Sequence, residues 1–194
     1  MRYIVSVVVI FSCLFSCGND PIPKPNGYLR LEYPEPIYAE ESIEGIPFSF
    51  DRNLLAKKIT TQQLRADTKS YGITLEYPEL KGTIYLTYKD VENSQEHLTN
   101  FLRDAQNFTQ KHTIKADEIT EQVYSNKEHK VYGMFYEVGG NAASQSQFYV
   151  TDSINHFLTG SLYFYAKPNY DSILPAAYYL KNDIKNIMET VRWK

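Results

Sequence analysis

The chain has 194 residues, a formal charge of −3 and acidic and basic residues interspersed along its length. Nothing in that balance suggests a nucleic-acid surface or a polybasic membrane patch, and the length suits one domain with a real core but is short for two. Seventeen tyrosines against one tryptophan point to a sheet-rich domain, because tyrosine favours strands while its polar tip stays wet.

The first residues have the form of a signal peptide. Arg2 supplies a short cationic start, Tyr3 to Phe15 an apolar stretch, and Ser16-Cys17 a small-residue exit. The apolar run is well short of the about 20 residues needed to span a bilayer. Leu14-Phe15-Ser16-Cys17 resembles a bacterial lipobox, in which the cysteine thiol accepts lipid. Ile10-Phe11-Ser12-Cys13 fits the same pattern four residues earlier, but cleavage there would strand Leu14 and Phe15 in the mature tail, so Cys17 is preferred. One acyl chain holds only marginally, whereas the roughly two or three that this modification supplies anchor stably. The expected organisation is a signal peptide over 1–16, a lipidated Cys17 with a proline-rich spacer over 17–27, and one domain over 28–194. With Cys17 acylated and Cys13 removed, the mature chain can form no disulfide.

Pro21, Pro23 and Pro25 disfavour both helix and sheet pairing and make the spacer stiff and extended. Tyr28 to Tyr33 alternates as a first strand before Pro34 and Pro36 break it. Phe48 to Asp51 is a second, 53–65 an irregular one, and Gly72 to Tyr77 and Thr83 to Tyr88 are two consecutive strands on either side of a turn at Pro78. Leu98, Phe101, Leu102, Ala105 and Phe108 fall at helical spacing behind a capping pair, Asn93 and Glu96. From Ile119 to Lys167, breaks at 126–128, 139–141 and 152–155 divide four strands of an antiparallel meander. Asp171 or Ser172 then caps a final helix with Pro175 in its first turn and Ala177, Leu180, Ile184, Ile187, Met188 and Val191 on one stripe. The parts sum to an α+β fold: an antiparallel sheet with two main helices packed against it.

Candidate sites are sparse. Gly139 to Ser144 is rich in small residues that let a backbone approach a ligand, and Gly140, Asn141 and Ser144, with Asp152, Ser153 and His156, form a candidate interaction or ligand face. The competing account of these stretches is simple hairpin turns, with Asp152 and Ser153 bonding their own backbone. His112, Lys115 and Asp117 make a weaker polar cluster beyond the first helix, best read as a helix end and a solvated loop. The residue types of a nucleophile, base and orienter occur at Thr151 to His156, but neighbours on a turn seldom point at one centre. The four histidines are scattered without a paired motif, so no metal and no cofactor is expected. Phe157, Tyr163, Phe164 and Tyr165 could line a cleft, although alternating aromatics on an inner strand more often form core.

Separate blocks in order along the chain carry a family resemblance: Leu75-Glu76-Tyr77-Pro78, Ile84 to Lys89, Lys111 to Asp117, Gly140 to Ser144, Thr151 to Phe164, Pro168 to Ser172 and Val191-Arg192-Trp193-Lys194. With the signal peptide, they make the chain resemble the GldD gliding motility lipoproteins of Bacteroidetes. The resemblance implies a component needed for gliding and for type IX protein secretion, with other machinery proteins as partners and no enzyme activity to transfer. Surface lipoproteins of these bacteria tend to carry an acidic run after the lipidated cysteine, and Gly18-Asn19-Asp20 supplies one acid, so a periplasm-facing domain is expected. The alternative is a small-ligand binder or enzyme that uses Asp117, His112 or Asp152 around a cleft in the sheet.

Overall fold

The computed structural model describes residues 31–112, 116–140, 143–165 and 170–194. Among these residues ten strands form two antiparallel sheets, accompanied by two α-helices. The strands are β1 (Tyr38–Ser42), β2 (Phe48–Asn53), β3 (Lys58–Leu64), β4 (Ser70–Tyr77), β5 (Gly82–Asp90), β6 (Ala116–Asn126), β7 (Val131–Gly140), β8 (Ser144–Thr151), β9 (His156–Phe164) and β10 (Arg192–Trp193); the helices are α1 (Gln95–His112) and α2 (Tyr170–Glu189). A seven-stranded sheet runs β3-β4-β5-β9-β8-β7-β6, and a three-stranded sheet runs β1-β2-β10. The fold is α+β, as the runs of antiparallel strand pattern with two helical stretches predict.

Period-2 alternation assigns the two faces of the large sheet. Ile73, Leu75 and Tyr77 of β4, Ile84, Leu86 and Tyr88 of β5, and Leu158 and Leu162 of β9 are all buried on one face. The stripe expected on the final helix is buried there too, with Leu180 and Ile184 wholly inaccessible. The small sheet covers the same face beside α2: Phe48 of β2 stacks on Tyr88 of β5 at 5.8 Å between ring centroids and meets the edge of Trp193 at 6.2 Å.

At Gly160 of β9 the Phe148 ring lies where a side chain would stand, so that an added Cβ would overlap it. Phe148 is buried and cannot swing clear. Gly160→Val is therefore expected to destabilise the fold by about 1–3 kcal/mol through overpacking, read as a lower urea midpoint; an unchanged midpoint would show that the ring has room to move.

A polar knot fastens α2 to the small sheet. Asp183 is only 1% exposed, and its carboxylate accepts from the Tyr38 hydroxyl at 2.8 Å and from Asn53 Nδ2 at 3.1 and 2.9 Å. Burial raises the Asp183 pKa above the ordinary carboxylate value, against the opposing pull of the Asn53 and Tyr38 hydrogen bonds. The Tyr77 hydroxyl, buried alongside, faces Asp183 without a well-formed hydrogen bond.

Three local expectations change. Of the strand expected over Tyr28 to Tyr33, residues 28–30 lie outside the described residues and Leu31 to Tyr33 is not a strand; among the described residues the first ladder begins at Tyr38, after Pro34 and Pro36. Side chains hold the earlier segment instead, Tyr33 packing on Tyr179 at 5.3 Å while the Tyr179 hydroxyl donates to the Pro34 carbonyl. Helix α1 is capped by Ser94, whose Oγ accepts from the His97 amide at 3.2 Å; Asn93 has φ +53°, a left-handed geometry that an N-cap residue does not adopt. Pro175 lies inside α2 rather than in its first turn, since the helix begins at Tyr170.

Candidate functional site

The opposite face of the large sheet carries the other alternating set. Tyr85, Thr87 and Lys89 of β5, Phe157, Thr159, Ser161 and Tyr163 of β9, Gln147 and Tyr149 of β8, and Tyr136 of β7 line a groove with a cavity of about 380 Å³. Helix α1 closes one side of it through Phe101, Asp104, Ala105 and Phe108. A small apolar cluster centred on Val91, Leu98 and Phe157, with Phe101, Leu102, Ala105 and Tyr149 packed against it, seats the helix over part of the sheet and leaves the remainder as the concavity.

Rings dominate the walls. Tyr149 and Phe157 lie nearly parallel, 5.9 Å apart with a 9° tilt, Phe101 sits 5.6 Å from Phe157, and Tyr85 meets Tyr163 edge-on at 5.8 Å. These spacings are those of favourable offset and T-shaped pairs. Burial raises the phenol pKa of Tyr85, Tyr149 and Tyr163 and pushes Tyr136 up to about 12, so all four hydroxyls stay protonated at neutral pH. Between the rings lie the polar groups of Thr87, Gln147, Thr159 and Ser161. The charged lining residues neutralise each other: Lys89 Nζ stands 3.8 Å from Asp104 and 4.5 Å above the Phe101 ring.

The residues singled out from the sequence lie elsewhere. Asp152 is the organiser of the β8–β9 turn, its Oδ1 accepting from the amides of Ile154, Asn155 and His156 at 2.9, 2.9 and 2.8 Å. Ser153 takes φ +69° in the same turn, and its amide donates to Thr151 Oγ1. His156 Nδ1 shares a 2.8 Å hydrogen bond with the Tyr88 hydroxyl, and its ring stacks on Trp193 at 5.0 Å, on the α2 side of the sheet. Gly140, with φ +84°, and the buried Ser144 flank the β7–β8 connection at the other end of β8. That strand has eight residues, so the two groups stand roughly 24 Å apart at about 3.4 Å per residue. The structure therefore brings Asp152, Ser153 and His156 together and keeps Gly140 and Ser144 away from them. Cys17, Lys115 and Asn141 fall outside the described residues, as do the side chains of His112 and Asp117.

Of the aromatic run in β9, Phe157 and Tyr163 line the groove, whereas Phe164 packs against the main core and Tyr165 accepts a hydrogen bond from Thr83. Tyr85, Phe101, Tyr136, Gln147, Tyr149 and Ser161 were not foreseen. Their signal is aromatic residues on the second face of strands whose first face is already apolar, a pattern that demands cover on both sides of a sheet.

A family model described as gliding motility lipoprotein GldD matches residues 18–193. The chain belongs to this family. As a GldD-family member it is a lipoprotein related to gliding motility, held at a membrane of the cell envelope by its lipid. Among the described residues no helix is long and apolar enough to cross a membrane. Comparison with curated proteins and with solved structures finds no match.

Proposed function

We propose that this GldD-family chain is a binding subunit of the gliding and type IX secretion machinery, anchored through Cys17 with its domain facing the periplasm, and that it acts by holding a partner rather than by catalysis. The observation that carries this reading is the character of the groove. It offers rings and neutral hydroxyls, and its one lysine and one aspartate are engaged with each other at the α1 side. Such a lining recognises, whereas general acid–base work needs a proton-transferring group poised near the operating pH. Asp152, a carboxylate the enzyme alternative would use, is occupied by three backbone amides. A lipid tether then raises the effective concentration of the domain near membrane-embedded partners without any new contact.

Mild cross-linking of whole cells followed by affinity recovery of the full-length tagged chain is expected to bring down membrane components of the secretion machinery, and deletion of the chain is expected to stop both gliding and cargo release. Recovery of no machinery component, together with normal cargo release in the deletion strain, would overturn the proposal.

A further inference from the structure

We infer that the aromatic groove between α1 and the large sheet is a binding site for one or two rings of a neutral glycan. The inference rests on the reading of the chain as a binder, and not on its assignment to secretion.

The volume of about 380 Å³ falls in the range of roughly 300–1,000 Å³ occupied by small-ligand sites. The mouth is open: Tyr85 and Phe108 are 42% and 41% exposed, so a segment of a longer chain could enter without threading. Phe157 is buried behind Tyr149, and the accessible ring faces of Tyr85, Tyr149 and Tyr163 match the apolar C–H faces of a pyranose, to which weak C–H contacts are favourable. The floor supplies what such a ring carries around its edge. The half-buried hydroxyls of Thr87, Thr159 and Ser161 offer both donors and acceptors, and Thr159 Oγ1 reaches the Thr87 carbonyl only at 3.5 Å, the outer limit of such a bond. A polyol can exchange its water hydrogen bonds for these groups.

The same lining argues against other occupants. An acyl chain would suit the rings but would strip water from the hydroxyls of Thr87, Thr159 and Ser161 without replacing its hydrogen bonds, which is unfavourable. A phosphate or other anion finds one cation, Lys89, already beside Asp104 and over Phe101. Charge balance and a polar floor between aromatic walls together select an uncharged, hydroxyl-rich ring. The ring could belong to a free oligosaccharide or to a glycan strand of an envelope polymer, which share this chemistry.

The full-length chain in detergent should be titrated calorimetrically with maltotriose, cellotriose and tri-N-acetylchitotriose, co-sedimented with purified peptidoglycan sacculi, and challenged with palmitate and a sulfated disaccharide. Saturable binding of a neutral trisaccharide, or sedimentation with sacculi, is expected, the first pointing to a soluble sugar and the second to the polymer. Ser161→Ala with Tyr163→Ala should weaken that binding at least tenfold at unchanged melting temperature. Tyr85→Ala, at the exposed mouth, provides a second test if the double variant folds poorly. Absence of binding to every neutral glycan and to sacculi, binding of palmitate or the sulfated sugar alone, or binding indifferent to Tyr85→Ala and to the double variant would overturn the inference. A negative result here would leave the cross-linking experiment standing, since that one reads protein partners.

Discussion

Asp183→Ala is expected to lower the stability of the fold by about 2–4 kcal/mol, because it removes the acceptor on which buried donors converge and leaves them unsatisfied. Asn53 is 1% exposed and directs Nδ2 at both Asp183 oxygens, so with the carboxylate gone its amide cannot turn to water and keeps only the Tyr179 hydroxyl at 3.2 Å. Tyr38 loses its partner across the junction between β1 and α2. The effect should appear as a lower urea midpoint with little change in slope, and a shift within about 0.5 kcal/mol, the usual scatter for surface substitutions, would mean that the knot is not fastening the helix.

The same residue gives stability a pH signature. Its folded-state pKa is raised by burial, whereas in the unfolded chain it titrates near 3.9, about the ordinary aspartate value. The folded state therefore holds this proton more tightly. The contribution is fully present below the unfolded value and is lost as pH rises through the raised folded value. Asp183→Asn cannot ionise, so the difference in stability between wild type and this variant should drift with pH across that window and level off above it. Parallel profiles from about pH 3.5 to 7 would show that the carboxyl titrates alike in both states.

Cys17→Ser is expected to abolish acyl labelling and to move the chain from the membrane pellet to the soluble fraction, with loss of gliding. The size of the effect follows from the anchor: each buried CH₂ contributes about 0.8 kcal/mol, so removing roughly two or three acyl chains leaves nothing of comparable strength to hold the chain. Cys13→Ser should change neither labelling nor fractionation. The reverse outcome, release by Cys13→Ser and retention of label in Cys17→Ser, would place the modification at the earlier cysteine. The melting curve of the domain should be the same in both variants, which separates tethering from folding.

The elements were legible wherever a single periodicity spoke clearly. Breaks at 126–128, 139–141 and 152–155 coincide with the ends of β6, β7 and β8, and the stripe from Ala177 to Met188 is buried as its helical spacing requires. Where two signals compete, the sequence is a poorer guide. The alternation of Tyr28 to Tyr33 looked like a strand, but the prolines that follow leave Tyr33 to be held by its ring rather than by a ladder. Asn93 has the residue type of a cap, yet the choice between Asn93 and Ser94 turns on backbone φ, which composition does not report. The groove was legible in pieces only. Phe157 and Tyr163 stood out as a run, but Tyr85, Tyr136 and Tyr149 join them through strand order, since β5 lies beside β9 and not beside β6. Asp183 stood out from nothing: it sits in the polar run Lys181-Asn182-Asp183, and only the arrival of Asn53 and Tyr38 from distant strands makes it internal.

The union of β5 with β9 has a kinetic meaning. It pairs Gly82 with Phe164 and Asp90 with His156, so the middle of the large sheet closes only when a long intervening stretch, including α1 and three whole strands, has already been made available. Such distant pairing must meet its loop-closure cost before it is rewarded, which makes a domain slow to assemble. Joining β5 to β9 is therefore expected to set the pace at which the whole domain refolds.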